Sequence, residues 1–426
     1  MNILAYTTLA IFLLAYFFIA TNKINQIVVA LSGAVIFIVL RIIDQESAFM
    51  AIDWNTIFLL VSMMIIINIA KTTGVFQYIA IKTAKICKGE PIALLIVLPM
   101  ITAILSMLLD NVTTIVLLCP IIILIAVELG VSPVPFIICS ALASNIGGTA
   151  TLIGDPPNVL IGSRAGLTFM DFIYNAAPDI VIILIVFAFV SVLLFKKQLS
   201  VTPERKARIM RFDESKSLED KPLLIKCCVI LALTVVGFVL HGQLHLEAST
   251  IAMIGSTLLL LICGKDDIDE FFKDVEWGTI LFFIGLFIMV QGVVDMGWIK
   301  AGTAILMDAT KGNMPLTATL IIWLSGVVGA FVNNIPYVAT MIPVVKEIVQ
   351  NMGGEGINPL WWALSLGACL GGNGTLVASS AGVISASICT KNGFPIKFMD
   401  FTKYGALITV ISLAITTGYV LIRYYS

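Results

Sequence analysis

The sequence has 426 residues, of which 59% are hydrophobic and only 12% are charged, and its mean hydropathy is +1.05. About 25% of the residues of a typical soluble protein are charged, so this chain cannot cover the surface of a soluble domain of its size. The composition therefore excludes secreted enzymes, nucleic-acid-binding proteins and cytosolic domains. The formal net charge of −1 says little by itself, because the positions of the charges matter more.

Apolar runs of membrane-spanning length recur along the chain. The first begins near the N-terminus without a basic segment or a clear cleavage site, so we interpret it as a retained span rather than a signal peptide. We predict full spans at about residues 3–20, 26–42, 55–73, 135–163, 178–195, 223–240, 248–263, 277–295, 359–388 and 405–422.

Two further apolar segments, at about residues 91–127 and 315–349, are too long for one span and have polar residues at their middle. Their Pro and Gly residues predict re-entrant hairpins, whose irregular backbone is tolerated at membrane depth only where it lines a protein cavity. Polar, glycine-rich stretches also interrupt the spans 135–163 and 359–388, which we expect to be broken helices.

The distribution of Lys and Arg predicts the orientation. When the connection around residues 196–226 is placed in the cytoplasm, 19 of the 25 Lys and Arg residues lie inside, as the positive-inside rule requires. This orientation places both termini outside a cell (inner) membrane. The connection has five acidic residues and Pro203, and we interpret it as a solvated connector.

Three short motifs recur at a nearly constant spacing. Residues 53–57 (DWNTI) recur as 276–280 (EWGTI), residues 110–112 as 333–335, and the Gly-Gly-x-x-Thr-Leu motif of 147–152 as 371–376. This order predicts a duplication into residues 1–200 and 223–426, joined by a linker at 201–222. Each half has an odd number of crossings, which inverts the second copy.

The sequence thus predicts an all-α polytopic membrane protein of two inverted repeats, each with five transmembrane helices and one re-entrant hairpin. Such repeats with broken helices are typical of secondary transporters, whose site lies near the membrane midplane where the copies meet. A channel is the alternative interpretation, and we expect no enzymatic activity. An intramembrane aspartyl protease would need a Gly-x-Gly-Asp segment and a Tyr-Asp pair, and the sequence has neither.

Polar residues at membrane depth are the candidate site, because each polar group without a partner in hydrocarbon costs several kcal/mol. Amide oxygens, hydroxyls and the carbonyls of unwound turns can bind a cation, and an intramembrane carboxylate is a candidate cation ligand or proton carrier. We assign the proton-carrier role to Asp110 and Asp155. The candidate substrate- or ion-binding residues are Asp110, Asn111, Thr113, Asn145, Gly147, Gly148, Thr151, Asp155, Asn158, Asn333, Asn334, Gly372, Asn373, Thr375, Ser379 and Ser380.

Purely structural roles compete with these assignments. Asp110 and Asp155 could each be the N-cap of a helix, and Asp155 precedes Pro156 as an N-cap often precedes proline. The glycines could serve close helix packing. Cys119 and Cys369 lie near the motifs at non-equivalent repeat positions, so we interpret them as core residues.

Residues 109–114 and 145–158 resemble the signature stretches of the ArsB/NhaD permeases, in particular the P-permease (pink-eyed dilution) branch of the ion transporter superfamily. This resemblance implies proton-coupled antiport of arsenite or antimonite first and Na⁺ second. It also implies a homodimer, and an arsenite-driving ATPase subunit as a partner besides the lipid bilayer. No cofactor is expected apart from a bound Na⁺ or H⁺.

The sequence is more distantly similar to CitMHS-like transporters and to sodium–dicarboxylate symporters, in which a Ser-Asn-Thr motif at each hairpin tip binds sodium and substrate. Only the middle Asn of each motif is kept here, as Asn111 and Asn334, and with Asp110 they are the candidate Na⁺ ligands. A dicarboxylate at about 4 Å from Asp110 would be repelled by about 4 kcal/mol per charge pair. A passive anion channel and a Na⁺-coupled dicarboxylate symporter remain the alternatives.

Overall fold

The computed structural model describes residues 3–21, 23–263, 268–351 and 358–426, and the fold is all-helical. The first half and the linker contain the helices α1 (Ile3–Thr21), α2 (Gln26–Val39), α3 (Gln45–Met50), α4 (Trp54–Lys71), α5 (Val75–Ile86), α6 (Pro91–Ser106), α7 (Asn111–Leu129), α8 (Val134–Gly148), α9 (Pro156–Ala165), α10 (Phe169–Asn175), α11 (Ala177–Phe195) and α12 (Pro203–Met210). The second half contains α13 (Lys221–Leu244), α14 (Ala248–Cys263), α15 (Ile268–Lys273), α16 (Trp277–Asp295), α17 (Trp298–Thr310), α18 (Met314–Phe331), α19 (Asn334–Asn351), α20 (Pro359–Gly371), α21 (Ser380–Lys391) and α22 (Phe398–Tyr425).

The chain has the helices of a multi-pass membrane protein, as predicted. Within the described ranges, eight helices are long and apolar enough to cross a bilayer, namely α1, α4, α7, α11, α13, α16, α18 and α22. Five shorter apolar helices, α2, α6, α8, α14 and α20, accompany them. Two of the ten predicted spans hold helices below spanning length, α2 with 14 residues and α14 with 16, and the number of crossings stays a prediction.

The two segments expected to be broken helices are each split into two helices. Residues 149–155 separate α8 from α9, and residues 372–379 separate α20 from α21. The hairpin segments are also helix pairs, with a short turn between α6 and α7 and another between α18 and α19. The arms α7 and α18 are each long enough to span, so length alone does not decide whether the hairpins re-enter.

The helices of the two halves follow one another in a similar order and pack in matching pairs. In the first half α6 packs against α8, and in the second half α18 packs against α20. Between the halves, α2 packs against α16 and α4 against α14. The core is therefore shared by both halves, while the inverted orientation and the repeat boundaries stay predictions.

The linker is docked on the helices beneath it at a few residues, while most of its residues are exposed, as expected of a solvated connector. Helix α12 packs against α5 and α7, and its residue Ile209 is fully buried. Lys206 forms an ion pair with Glu90, and Lys85 forms another with Glu214. The linker thus supplies the acid of one ion pair, Glu214, and the lysine of the other, Lys206.

Segments assigned to one side of the membrane contact each other. The linker meets the helix ends near Lys85 and Glu90, which share its predicted side. On the opposite predicted side, Arg164 pairs with Asp53. These contacts separate two faces of the molecule, and the assignment of one face to the cytoplasm stays a prediction.

Candidate functional site

The two hairpin tips and the starts of α9 and α21 meet around one cavity of about 60 Å³, which we call the site cavity. This volume accommodates a few water molecules or a small ion. Its lining residues are Leu60, Met64, Asp110, Asn111, Val112, Asp155, Pro156, Glu276, Thr279, Asn334, Ile335, Ser379, Ser380 and Ala381. Because both tips reach the same enclosed cavity, its geometry suits hairpins that enter from opposite faces.

Asp110 caps the N-terminus of α7 and lines the site cavity at the same time. Its Oδ1 accepts a hydrogen bond from the backbone N–H of Thr113 at 2.8 Å, and its Oδ2 accepts one from the Thr113 hydroxyl at 2.6 Å. Thr113 therefore orients the carboxylate and is absent from the cavity lining. The capping role and an ion-binding role are compatible at this residue.

Asp155 does not cap α9, so the N-cap alternative is wrong for this residue. It occupies the N-cap position with extended backbone, but its side chain makes no capping hydrogen bond. Pro156 and Pro157 lack N–H groups, and the N–H of Asn158 already donates to the Asp155 carbonyl at 2.9 Å. The side chain is 2% exposed, and its Oδ2 has no hydrogen-bond partner in the described part of the chain.

An unpaired buried carboxylate oxygen is costly, and such groups in native proteins mark strain, function or an unseen ligand. The side chains of Asn111 and Cys369 adjoin the Asp155 carboxylate. Cys369 is thus next to the site, although its thiol is fully buried and donates to Asn158 Oδ1 at 3.4 Å. Asp155 is the residue of the cavity that most clearly needs a proton or a cation.

Glu276 is a third carboxylate in the lining that the sequence analysis did not select. It precedes α16, and its Oε2 accepts a hydrogen bond from the Thr279 hydroxyl at 3.0 Å. The repeat of residues 53–57 at 276–280 could have drawn attention to it, since an acidic residue begins both copies.

A wider opening of about 390 Å³, the vestibule, adjoins the site cavity and shares Glu276, Thr279, Ile335 and Ser380 with it. The remaining lining residues of the vestibule are Asn25, Gln26, Ile27, Gly278, Phe282 and Asn333. The site cavity therefore adjoins an opening on the face where α2 and α16 begin. The proposed orientation makes this the cytoplasmic face.

Residues 149–155 and 372–379 are the two unwound segments of the broken helices, and Asn145, near the end of α8, joins this helix to the second of them. Its Nδ2 donates to Asn373 Oδ1 at 2.8 Å, to Ser379 Oγ at 2.9 Å and to the Gly372 carbonyl at 3.3 Å. Asn373 Nδ2 donates in turn to the Leu142 carbonyl at 3.1 Å. Asn145 and Asn373 are 1% exposed and stand behind the cavity, where they fix its walls.

Asn158 performs a similar task for the first unwound segment. Its Nδ2 donates to the carbonyls of Thr149 and Thr151 at 3.0 and 2.9 Å, and its Oδ1 accepts from the Ser365 hydroxyl at 2.7 Å. These bonds satisfy carbonyls that the break between α8 and α9 leaves without helical partners.

The supports of the two unwound segments correspond between the halves. Thr151 donates to the Met107 carbonyl at 2.5 Å, and Thr375 donates to the Ala330 carbonyl at 2.6 Å, in each case near the end of the first hairpin arm. A Cβ at Gly147 would come within 2.2 Å of the Ala103 carbonyl oxygen. These residues hold the hairpins against the broken helices and do not line the cavity.

The predicted site residues therefore fall into two groups. Asp110, Asn111, Asp155, Asn334, Ser379 and Ser380 line the site cavity, and Asn333 lines the vestibule. Thr113, Asn145, Gly147, Gly148, Thr151, Asn158, Gly372, Asn373 and Thr375 surround it as supports. The three residues assigned to Na⁺, Asp110, Asn111 and Asn334, all face the same space, and a role in binding stays a prediction.

The ionisable residues that line the cavity are all acidic. Three carboxylates line it, and among the described residues neither Lys nor Arg does. Over the same ranges, His, Cys, Asp and Glu side chains form no group of three that could share a metal ion. The carboxylates are thus arranged around a space rather than gathered on one metal centre.

Comparison with known proteins identifies the family. Residues 16–367 match the family model described as CitMHS, citrate transporter. The chain belongs to this citrate transporter family. The protein is therefore a multi-pass membrane transporter, and the resemblance seen at the signature stretches is confirmed.

Named relatives support the assignment of this transporter. A protein of Mycobacterium tuberculosis named as an uncharacterized transporter is 42% identical over 430 residues, covering 100% of this chain and 99% of the relative. The human P protein is 31% identical over 450 residues and covers 88% of this chain and 54% of its own length.

The fold is also found in a solved structure. Neisseria gonorrhoeae MtrF, described with a class of antimetabolite efflux pumps, superposes with a TM-score of 0.61 at 13% identity, over 92% of this transporter and 84% of MtrF. At this identity the similarity concerns the fold alone.

Proposed function

We propose that this transporter is an ion-coupled secondary carrier that exchanges protons for a small inorganic solute by alternating access. The observation that supports it is a site cavity lined by three carboxylates, of which Asp155 keeps a buried oxygen without a partner. Intramembrane carboxylates of this kind are typical proton carriers or cation ligands. Proton and cation would compete for the same oxygens, which makes antiport the natural coupling.

Na⁺ is the solute that suits the cavity best. Carboxylate and amide oxygens are ligands for hard cations, and Asp110, Asn111 and Asn334 supply them from both hairpin tips. Arsenite or antimonite is the second candidate, favoured by the family resemblance. At neutral pH arsenous acid is uncharged, and its three O–H groups could donate to the acceptor-rich lining.

A free organic anion or a chloride ion is disfavoured. Each unit of negative charge about 4 Å from one of the carboxylates would meet a repulsion of about 4 kcal/mol at an effective dielectric constant near 20. Citrate, the substrate in the family's name, would therefore need several bound cations to enter this cavity. The same repulsion disfavours a passive anion channel.

The test uses proteoliposomes that enclose a pH-sensitive dye, with Na⁺, Li⁺, arsenite, antimonite, chloride and citrate added in turn. Exchange of external Na⁺ for internal protons should raise the internal pH. We expect Asp110→Asn to abolish this signal while the protein still inserts and folds, because Asn is also a good N-cap. Asp155→Asn should abolish it as well.

Asp44→Asn is the matched control. Asp44 caps α3 in the same manner as Asp110 caps α7, accepting from Ser47 N at 2.9 Å, but it lies outside the cavity. It should leave the signal unchanged. Proton fluxes at the wild-type rate in both cavity variants would remove the proton-carrier role, and an anion conductance without proton movement would identify a channel.

A further inference from the structure

Glu276 occupies the boundary between the vestibule and the site cavity, and it lines both. Its described hydrogen bond comes from Thr279, in the first turn of α16, and no other helix of the described ranges donates a hydrogen bond to the carboxylate. Glu276 therefore lies where the vestibule and the cavity of the buried carboxylates adjoin.

Asp53 is the equivalent residue of the first half, and its contacts are those of an acid with a structural role. Asp53 Oδ1 caps α4 through Thr56 N at 3.2 Å and accepts from the Ser163 hydroxyl at 2.9 Å. Its Oδ2 forms an ion pair with Arg164 Nε at 3.3 Å. Asp53 is 7% exposed, and the ion pair with Arg164 neutralises its charge, although its Oδ2 accepts no hydrogen bond within the described residues.

Glu276 differs from Asp53 in each of these respects. Its side chain makes no capping hydrogen bond to α16, and within the described ranges it has no ion-pair partner. The position equivalent to Arg164 in the second half is Ile388, which cannot neutralise it. In the first copy of the motif the acid, Asp53, is neutralised by an ion pair. In the second copy the acid, Glu276, lines a cavity and has no ion-pair partner among the described residues.

The groups that face Glu276 are acidic or neutral. Asp110 and Asp155 line the same cavity, and Asn25, Gln26 and Asn333 line the vestibule beside it. Lys71 forms an ion pair with Asp274 on this face, with 3.1 Å between Nζ and Oδ2, so its charge is already neutralised. The field at the boundary therefore attracts a cation toward the unpaired Oδ2 of Asp155, the buried acceptor that completes the path.

We propose that Glu276 is a cation-binding residue that receives a proton or a monovalent metal ion from the vestibule and delivers it to Asp110 and Asp155. The oxygen ligands available there are the carboxylate of Glu276, the hydroxyl of Thr279 and the amide oxygens of Asn25 and Asn333. This role rests on the proposed exchange function and adds an access site to it.

The first test measures transport. Glu276→Gln should raise the cation concentration that gives half-maximal proton flux by about tenfold, which corresponds to about 1.4 kcal/mol. Glu276→Asp should largely restore the wild-type value, because it keeps the charge. Asp44→Asn removes a charge outside the cavity and should change the value little. Equal values for the wild type and Glu276→Gln would overturn the proposal.

The second test does not depend on transport. A carbodiimide modifies accessible protonated carboxyl groups, and mass spectrometry of the purified wild-type protein gives the extent of labelling at each residue. We expect Glu276 to be labelled in choline chloride, to be protected by at least one of Na⁺, Li⁺ and K⁺, and Asp53 to stay unlabelled. Labelling of Glu276 that no cation reduces would overturn its role in cation binding.

The two tests separate failure of the proposal from failure of the transport function. If no solute drives proton movement but a cation protects Glu276, the exchange function is wrong and the cation-binding residue stands. If exchange occurs and neither test responds at Glu276, the cation reaches the site by another path and the proposal is wrong.

Discussion

Gly148→Ala tests whether the hairpin tip lies as close to the unwound segment as the structure shows. A Cβ at residue 148 would lie 2.4 Å from Asn111 Oδ1 and 2.4 Å from the carbonyl oxygen of Gly154. Ordinary contacts are longer by about 1 Å. Neither neighbour can move freely, because Asn111 Oδ1 accepts from Ser106 at 2.8 Å and the second oxygen belongs to the backbone.

The expected cost has two parts. Forcing an extra methyl group into a packed interior costs about 1–3 kcal/mol. Displacing Asn111 also removes its bond with Ser106, which contributes about 1 kcal/mol. The shift of about 1 Å occurs at Asn111, a residue of the site cavity, and a misplacement of this size can lower a rate about a hundredfold. The transport rate should therefore fall more than the free energy of unfolding.

The assay compares thermal unfolding of the purified protein in detergent with solute-driven proton flux in proteoliposomes. Gly418→Ala is the matched control, because a Cβ at residue 418 in α22 would meet nothing within 4 Å. Replacing this helical glycine should leave stability equal or raise it by up to about 1 kcal/mol. If Gly148→Ala behaved like Gly418→Ala in both measurements, the close approach at the hairpin tip would be refuted.

Two further predictions concern groups outside the site. Thr416→Val should lower the unfolding temperature in detergent, because the Thr416 hydroxyl donates to Oδ2 of fully buried Asp179 at 2.6 Å, and an orphaned buried acceptor costs about 1–3 kcal/mol. Thr21→Val, at an exposed position, should leave the unfolding temperature unchanged. The hydrogen bond from Lys85 lowers the pKa of the Glu214 carboxyl below its ordinary 4.5. The linker contact is therefore present above that ordinary value and is lost as the pH falls through the lowered one, so acid should speed cleavage of the linker by an acid-stable protease, and Glu214→Gln should remove this pH dependence.

Hydropathy predicts the long helices well, because a bilayer demands about 20 apolar residues in sequence. It misses short helices such as α5 and α17, since part of each is polar and neither has spanning length. It also misses the docking of the linker, because a pairing such as Lys206 with Glu90 joins residues 116 positions apart and leaves no local pattern.

The candidate site was located by its polar residues, but their roles could not be assigned from sequence. Asn145 was predicted to bind an ion, and its Nδ2 donates to Asn373, which lies 228 positions later, while a role of its Oδ1 in ion binding stays a prediction. Asp155 looked like a helix cap because of the following prolines, and those prolines are the reason that it has no backbone donor to cap. The sequence thus correctly predicts that a helix begins after Asp155, but not that the Asp155 side chain caps it.

The supports of the site match between the two halves, as the predicted duplication implies, while the cavity-facing residues differ. Thr151 and Thr375 make equivalent bonds to the hairpins, so both halves need the same backbone geometry. The cavity-facing positions have diverged, since Asp155 corresponds to Ser379, which caps α21 and accepts from Asn145. Charge is therefore concentrated on one hairpin tip and one broken helix, together with Glu276 at the boundary of the vestibule. The two similar halves thereby form one asymmetric site. The first half supplies the buried carboxylates of Asp110 and Asp155, and the second half supplies neutral oxygens and the carboxylate of Glu276 beside the vestibule.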